Sequence, residues 1–155
     1  MDSRTLIIGV GNDERKDDGI GLLVARAVKE LNLSGVTVLE QSGDGTALMD
    51  LWDNYSNVIL IDAISSGSSA GSIFRFDAHE HPLPVGLFHC STHAIGIAEL
   101  VELARALNRL PPRFTLCAIE GVDFGSGSTV SAELKAAVPQ VVKQILAECR
   151  AIAGL

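Results

Sequence analysis

The stretch at residues 6–21, LIIGVGNDERKDDGIG, constrains the fold of this chain more than any other segment. Its apolar start, Leu6 to Ile8, predicts a short buried strand, and Gly9 and Gly11 are typical of the end of such a strand. A helical pattern of apolar residues begins at Asp18. This order of strand, loop and helix predicts the first unit of an α/β fold, in which ligands bind at the carboxyl ends of parallel strands.

The loop of this unit is charged and mostly acidic. Six charged residues stand in a row from Asp13 to Asp18, and four of them are acids. A dinucleotide-binding loop requires a third glycine where this chain has Glu14. The acids would repel a pyrophosphate, so a cation is the more natural ligand. The alternative is a solvated loop in which Asp17 or Asp18 caps the following helix.

Further along the chain, strands and helices alternate. The continuous apolar run 58–61 predicts a buried parallel strand. Residues 36–40 and 114–119 also predict strands, the second of them in the core, and an alternating run predicts a half-exposed strand at 72–76. Apolar stripes predict helices at about 18–31, 47–52, 94–107 and 134–149. We therefore predict an α/β fold with a twisted, mostly parallel sheet of about five strands and an edge strand at 72–76 that could run antiparallel. The 155 residues are expected to form one domain, 1–155.

The composition excludes several classes of partner. A formal charge of −7 argues against binding to nucleic acid or to anionic membranes. No apolar run approaches the roughly 20 residues of a membrane span, and the start of the chain is too short in apolar length for a signal peptide. Cys90, Cys117 and Cys149 form no CxxC pair, which favours reduced thiols and a cytoplasmic location. Cys117 and Cys149 are expected to pack in the core.

Two more residues are candidates for a site at the same edge of the sheet. Asp62 directly follows the predicted strand 58–61, and His93 lies in the first turn predicted for the helix 94–107. A strand–helix–strand order places the third strand beside the first, so Asp18 and Asp62 should face one crevice. The helix macrodipole disfavours a charged imidazole at His93 and leaves a neutral ring that can bind metal. Either aspartate could instead cap a turn, and a lone histidine could be structural.

Two carboxylates and an imidazole suit a divalent transition metal. Three protein ligands would leave a coordination position for water or a substrate atom. The spacing His79-x-His81 could also bind metal, although a proline-rich loop makes exposed histidines the simpler expectation.

The string GVGNDERKDDGIG resembles the amino-terminal signature of the NiFe-hydrogenase maturation endopeptidases. ILIDAI, around Asp62, and STHAIGIAELVELARAL, around His93, are similar to the other two hallmark positions of that family and occur in its order. The resemblance covers essentially the whole chain. One departure is Gln41 to Asp44, where relatives often carry an aspartate and paired glycines, so nothing is expected of that loop beyond lining the cleft.

This resemblance implies a three-layer αβα sandwich and an aspartyl endopeptidase-like hydrolase. The family cleaves a carboxyl-terminal extension from the precursor of the hydrogenase large subunit after nickel insertion. Asp18, Asp62 and His93 match the residues that bind metal and carry catalysis, with nickel held by the substrate and no organic cofactor. A monomer is expected. The reaction could use a nickel-polarised water or a nickel-bound scissile carbonyl, or Asp18 or Asp62 could act as the base.

Three alternatives compete with this interpretation. Cys90 and His93 could form a cysteine peptidase, although only Asp62 is available to orient the imidazole. Gly9-x-Gly11 could belong to a nucleotide-binding or anion-binding module. A non-proteolytic metal-binding chaperone would bind the precursor without cutting it.

Overall fold

The computed structural model describes residues 4–42, 45–84, 86–88 and 96–152. In this part of the chain, five strands form one sheet in the order β2-β1-β3-β5-β4. β1 pairs in parallel with β2 and β3, β3 pairs in parallel with β5, and β4 runs antiparallel to β5 at the edge. The elements are β1 Thr5–Val10, α1 Ile20–Lys29, β2 Val36–Gln41, α2 Gly45–Trp52, β3 Asn57–Ile64, β4 Ile73–Asp77, α3 Ile97–Ala106, β5 Arg113–Glu120 and α4 Ala132–Ile152.

Helices cover both faces of this sheet, because the central strands are apolar on both sides. One face of β1, β3 and β5 packs with α2 and α3, where Trp52 and Phe114 meet edge to face at 4.8 Å between ring centroids. The opposite face packs with α1 and α4. The predicted α/β fold, the neighbours of β1, the antiparallel edge strand and the three layers are confirmed.

α1 lies unusually close to β1 and β3. A Cβ added at Gly21 would lie 2.4 Å from the carbonyl oxygen of Ile61 and 2.5 Å from that of Val10. A Cβ at Gly9 would lie 2.3 Å from the carbonyl oxygen of Gly21. Glycine in the first turn of α1 therefore permits the backbone contact expected from the sequence, and brings the start of α1 to the carboxyl ends of the two central strands.

Two differences from the predicted element boundaries bear on the candidate site residues. α1 begins at Ile20 and not at Asp18, because residues Lys16–Gly19 form a separate 3-10 helical turn, called the 3-10 turn below. β3 extends to Ile64 and includes Asp62, which was expected just beyond the strand. The reason is that β5 continues to pair with β3 as far as Ile64.

α4 is the longest helix in the part of the chain that the structure describes. The sequence predicts a kink or a restart of this helix at Pro139, and the predicted restart is wrong, because α4 is one helix on both sides of that residue. Among the described residues, no helix is both long and apolar enough to cross a membrane.

Candidate active site

Asp62 marks the end of the pairing between the two central strands. The last pair of the β1–β3 ladder is Gly9 with Ile61, so Asp62 lies one residue beyond it. Side chains alternate between the two faces of a strand, which places Asp62 on the face of Leu60 and Ile64, towards α2 and α3. The side chain is only 2% exposed, and its Oδ1 accepts a hydrogen bond from the amide of Ala63 at 2.8 Å.

Asp18 reaches the same edge from the 3-10 turn. It is 7% exposed, and its Oδ2 accepts a hydrogen bond from the amide of Asn12 at 2.9 Å. Its own amide donates to the carbonyl of Arg15 at 3.1 Å. The 3-10 turn contacts β3 directly, and Gly21, three residues on, lies against Ile61. The aspartate before α1 and the aspartate in β3 therefore converge, as the sequence predicts.

The proximity of Asp18 affects the pKa of Asp62. Burial raises the pKa of Asp62 well above its ordinary value of 3.8, and the negative charge of Asp18 raises it further. The hydrogen bond from the amide of Ala63 has the opposite, smaller effect on this pKa. Two carboxylates in one buried place repel each other when both are ionised, so such a pair favours either a proton or a cation.

The expectation for His93 falls outside the described residues, as does the alternative that uses Cys90. Residues on both sides of this gap are described. Phe88 forms an antiparallel bridge with Ile64, two residues past Asp62, and α3 begins at Ile97. Within the described ranges, no group of three or more histidine, cysteine, aspartate or glutamate residues is placed to hold a metal ion.

Helix capping does not explain either acid of the 3-10 turn. Within the described part of the chain, no side chain caps the start of α1 by a hydrogen bond. The carboxylate of Asp18 turns back to Asn12, and that of Asp17 faces away from α1. The capping alternative is therefore wrong for both residues.

Asp17 is a buried anchor that the sequence did not reveal. Its side chain has no exposed surface and accepts hydrogen bonds from the amides of Val122, Asp123 and Ser131 and from the hydroxyl of Ser131, at distances of 2.7–3.0 Å. Burial raises the pKa of Asp17, but the hydrogen bonds from Ser131, Val122 and Asp123 outweigh it and hold that pKa below its ordinary value. The only sequence signal was its place beside Asp18.

Glu120 is a second buried carboxylate that the sequence left without a role. It ends β5 on the same face as Leu116 and Ala118, is 2% exposed, and pairs in register with Ile64. Its carboxylate accepts hydrogen bonds from the amide of Ser66, at 2.8 Å, and from the hydroxyl of the same residue. Glu120 therefore fixes the loop that leaves β3 after Asp62.

Other sequence candidates have structural roles. The Nε2 of His79 lies 2.6 Å from the carbonyl oxygen of Pro111, so this ring joins two loops. Cys117 is buried in β5 and Cys149 packs against the same core cluster, as expected. Gly11 has φ of +156°, and a Cβ there would lie 2.0 Å from the carbonyl oxygen of Asp18, so internal packing accounts for this glycine without a bound phosphate.

The comparison with protein families decides the family to which this chain belongs. A statistical model described as hydrogenase maturation protease matches residues 22–148. The chain belongs to the hydrogenase maturation protease family. It is therefore a peptidase, and the enzyme class predicted from the sequence is confirmed.

Characterised members of this protease family align over most of the chain. Hydrogenase expression/formation protein HupD of Rhizobium leguminosarum bv. viciae is 27% identical over 143 residues, which cover 90% of this chain and 71% of HupD. The hydrogenase 2 maturation protease of Escherichia coli K12 is 26% identical over 151 residues, which cover 95% of this chain and 91% of that protein.

Solved structures of maturation proteases share the fold. The hydrogenase maturating endopeptidase HybD from Escherichia coli has a TM-score of 0.80 at 22% identity and covers 95% of this chain and 92% of its own. The NiFe-hydrogenase maturation protease HycI from Thermococcus kodakarensis has a TM-score of 0.73 at 24% identity, with coverage of 92% and 90%.

Proposed function

We propose that this maturation protease removes a carboxyl-terminal extension from the precursor of a NiFe-hydrogenase large subunit, and that nickel already held by the precursor is what it recognises. Asp18, Asp62 and His93 are the proposed receiving site for that nickel. The observation that carries the proposal is the pair of buried carboxylates, brought by separate segments to the carboxyl ends of β1 and β3. Membership of the family supports the hydrolytic part.

The chemistry of the donors fits a borderline divalent cation. Carboxylate oxygens and an imidazole nitrogen are ligands that nickel accepts. A cation between Asp18 and Asp62 would offset their repulsion, which contributes to the raised pKa of Asp62. The antiparallel bridge between Phe88 and Ile64 supports the third ligand, because it brings the chain to the end of β3 five residues before His93.

The raised pKa of Asp62 supports a reason for cleavage to wait for nickel. Burial favours the protonated carboxyl over the carboxylate, and only the carboxylate binds a cation or accepts a proton. Docking of the nickel of the substrate would favour the ionised form of Asp62 beside Asp18. A carboxylate of the pair can then take a proton from water, whose oxygen attacks the scissile carbonyl carbon. The carbon–nitrogen bond breaks, and the proton passes to the leaving amine.

Cleavage of purified precursor, prepared with and without nickel, tests this function. We expect the wild-type protein to cut the nickel-loaded precursor and to leave the nickel-free precursor intact. Asp62→Asn should retain its fold, because the amide oxygen can still accept from Ala63, and should lose at least about 100-fold in kcat/KM. The matched control is Glu120→Gln, a carboxylate of similar burial that is bonded to Ser66 and lies outside the proposed site.

The outcomes separate the parts of the proposal. Equal cleavage of both precursors would exclude nickel as the recognition element. Full activity of Asp62→Asn would remove Asp62 from the site. Full activity of a His93→Gln variant would do the same for the third ligand.

A further inference from the structure

Asp17 and Asp18 are adjacent in the sequence, but their carboxylates contact different parts of the molecule. Asp18 belongs to the proposed site, whereas the carboxylate of Asp17 lies within the loop that joins β5 to α4, residues 121–131, called the β5–α4 loop below. Its Oδ2 accepts from the amides of Val122 and Asp123 at 2.9 and 3.0 Å. Its Oδ1 accepts from the amide of Ser131 at 2.7 Å. One buried side chain therefore joins both ends of this loop to the 3-10 turn.

Backbone bonds join the same two segments. The amide of Asp17 donates to the carbonyl of Asp123 and that of Lys16 to the carbonyl of Gly127, each at 2.9 Å. In return the amide of Gly127 donates to the carbonyl of Glu14 at 2.9 Å. Lys16 also forms an ion pair with Asp123 at 2.9 Å. The β5–α4 loop is thus joined to the 3-10 turn by backbone hydrogen bonds and an ion pair as well as by the side chain of Asp17.

The backbone of this turn adopts a conformation that needs such support. Lys16 has φ of +46°, in the left-handed region that residues with a Cβ rarely adopt. Conformations of this kind persist only where surrounding contacts hold them. Here the contacts are the bonds from the β5–α4 loop to Lys16 and Asp17 on one side, and the packing of Gly11 against the carbonyl of Asp18 on the other.

We propose that Asp17 is a positioning residue for cleavage: it holds the 3-10 turn against the β5–α4 loop and so fixes Asp18 opposite Asp62. This inference rests on the proposed function, because it needs Asp18 in the reacting site. Asp17 itself touches no substrate. A displacement of about 1 Å in a reacting group can cost on the order of 100-fold in rate, so the anchor is expected to act on kcat.

Asp17→Asn is the variant that tests the anchor. Asparagine has the same shape but replaces one accepting oxygen with an NH₂ group, which would face an amide or hydroxyl donor in the loop. We expect kcat on the nickel-loaded precursor to fall by about 10-fold to 100-fold, with KM changed by less than about 2-fold. Hydrogen exchange at the amides of Val122 and Asp123 should accelerate, because their acceptor is weakened.

Two further variants make the test specific. Ser131→Ala removes only the hydroxyl donor and keeps the backbone bonds, so a fall in kcat of about 2-fold to 5-fold is expected. Val141→Ala destabilises α4 in the buried core, ten residues beyond the end of the β5–α4 loop, and should keep the wild-type kcat at a temperature where all variants are folded. A purely structural role for Asp17 would make Asp17→Asn behave like Val141→Ala.

The results distinguish this inference from the proposed function. If Asp18→Asn is inactive and Asp17→Asn has wild-type kcat, or changes only KM, the positioning role is overturned while the site stands. If Asp18→Asn keeps full activity, the site itself is wrong. If Asp17→Asn fails to fold, Ser131→Ala decides: a kcat equal to that of Val141→Ala overturns the anchor.

Discussion

The contact between α1 and the sheet predicts that Gly21→Ala is destabilising even though alanine is the better helix former. Alanine in a helix is favoured over glycine by about 1 kcal/mol. The new Cβ would however lie 2.4 Å from the carbonyl oxygen of Ile61, and separations under 3.0 Å are essentially never seen. Both obstructing atoms, on Ile61 and Val10, belong to backbone in central strands and cannot rotate away.

The start of α1 must therefore move away from the sheet by more than half an ångström to bring that contact from 2.4 to at least 3.0 Å. Overpacking of this kind costs about 1–3 kcal/mol, and the buried Ile20 and Val24 of α1 lose part of their contact with the strands. After the helix-propensity gain, we expect a net loss of roughly 1 kcal/mol in the free energy of unfolding. The same movement carries Asp18 away from Asp62, so cleavage should fall by more than the folded fraction does.

Gly19→Ala is the matched control, two residues earlier on the same segment. A Cβ at Gly19 would have its nearest neighbour at 3.4 Å, an ordinary contact, and the backbone there has φ of −80°. We expect this variant to differ from wild type by less than about 0.5 kcal/mol. Urea unfolding monitored by circular dichroism measures both changes. Equal unfolding midpoints for Gly19→Ala and Gly21→Ala would refute the packing argument.

Three further predictions follow from buried groups. In metal-free protein, Asp62→Asn should be more stable than wild type near neutral pH. The free energy of unfolding of wild type falls by about 1.4 kcal/mol per pH unit as pH rises from 3.8 to the raised folded-state pKa of Asp62. Urea titrations near pH 3.8 should therefore find wild type and variant equally stable. Burial raises the pKa of Cys117 to about 12, so mass spectrometry should find this thiol alkylated at pH 8 only after unfolding. Rapid alkylation of Cys117 in the native protein would contradict its packing. Trp52→Phe should lower the free energy of unfolding by roughly 1–3 kcal/mol, because phenylalanine cannot make the 3.1 Å hydrogen bond from the indole to the carbonyl of Arg109. An unchanged urea midpoint would show that this bond does not contribute to stability.

Much of the fold was predictable because its signals are local. Continuous apolar runs identified β1, β3 and β5, and the alternation of strands with helices gave the order of the central strands. The edge position of β4 followed from its half-exposed alternation. The end of β3 was not predictable from composition, since a single aspartate interrupts an apolar run whether or not the neighbouring strand continues.

The site was predictable to the extent that topology alone determines it. Asp18 comes after β1, and Asp62 lies near the carboxyl end of β3, which pairs in parallel with β1, so their convergence needed only the strand order. The role of Asp17 was not predictable, because three of its four hydrogen-bond donors are backbone amides 105–114 positions further along the chain. Any residue except proline supplies such an amide, so the sequence carries no mark of the partner.

The dependence of the 3-10 turn on the β5–α4 loop has a consequence for biosynthesis. Asp18 leaves the ribosome well before residues 122–131, which contain the hydrogen-bond donors to its neighbour Asp17. A nascent chain that has completed only β1, α1 and β3 contains Asp18 and Asp62. It still lacks the β5–α4 loop, which holds the 3-10 turn of Asp18 in place. The peptidase is therefore expected to gain its hydrolytic competence only after residues 122–131 have been synthesised.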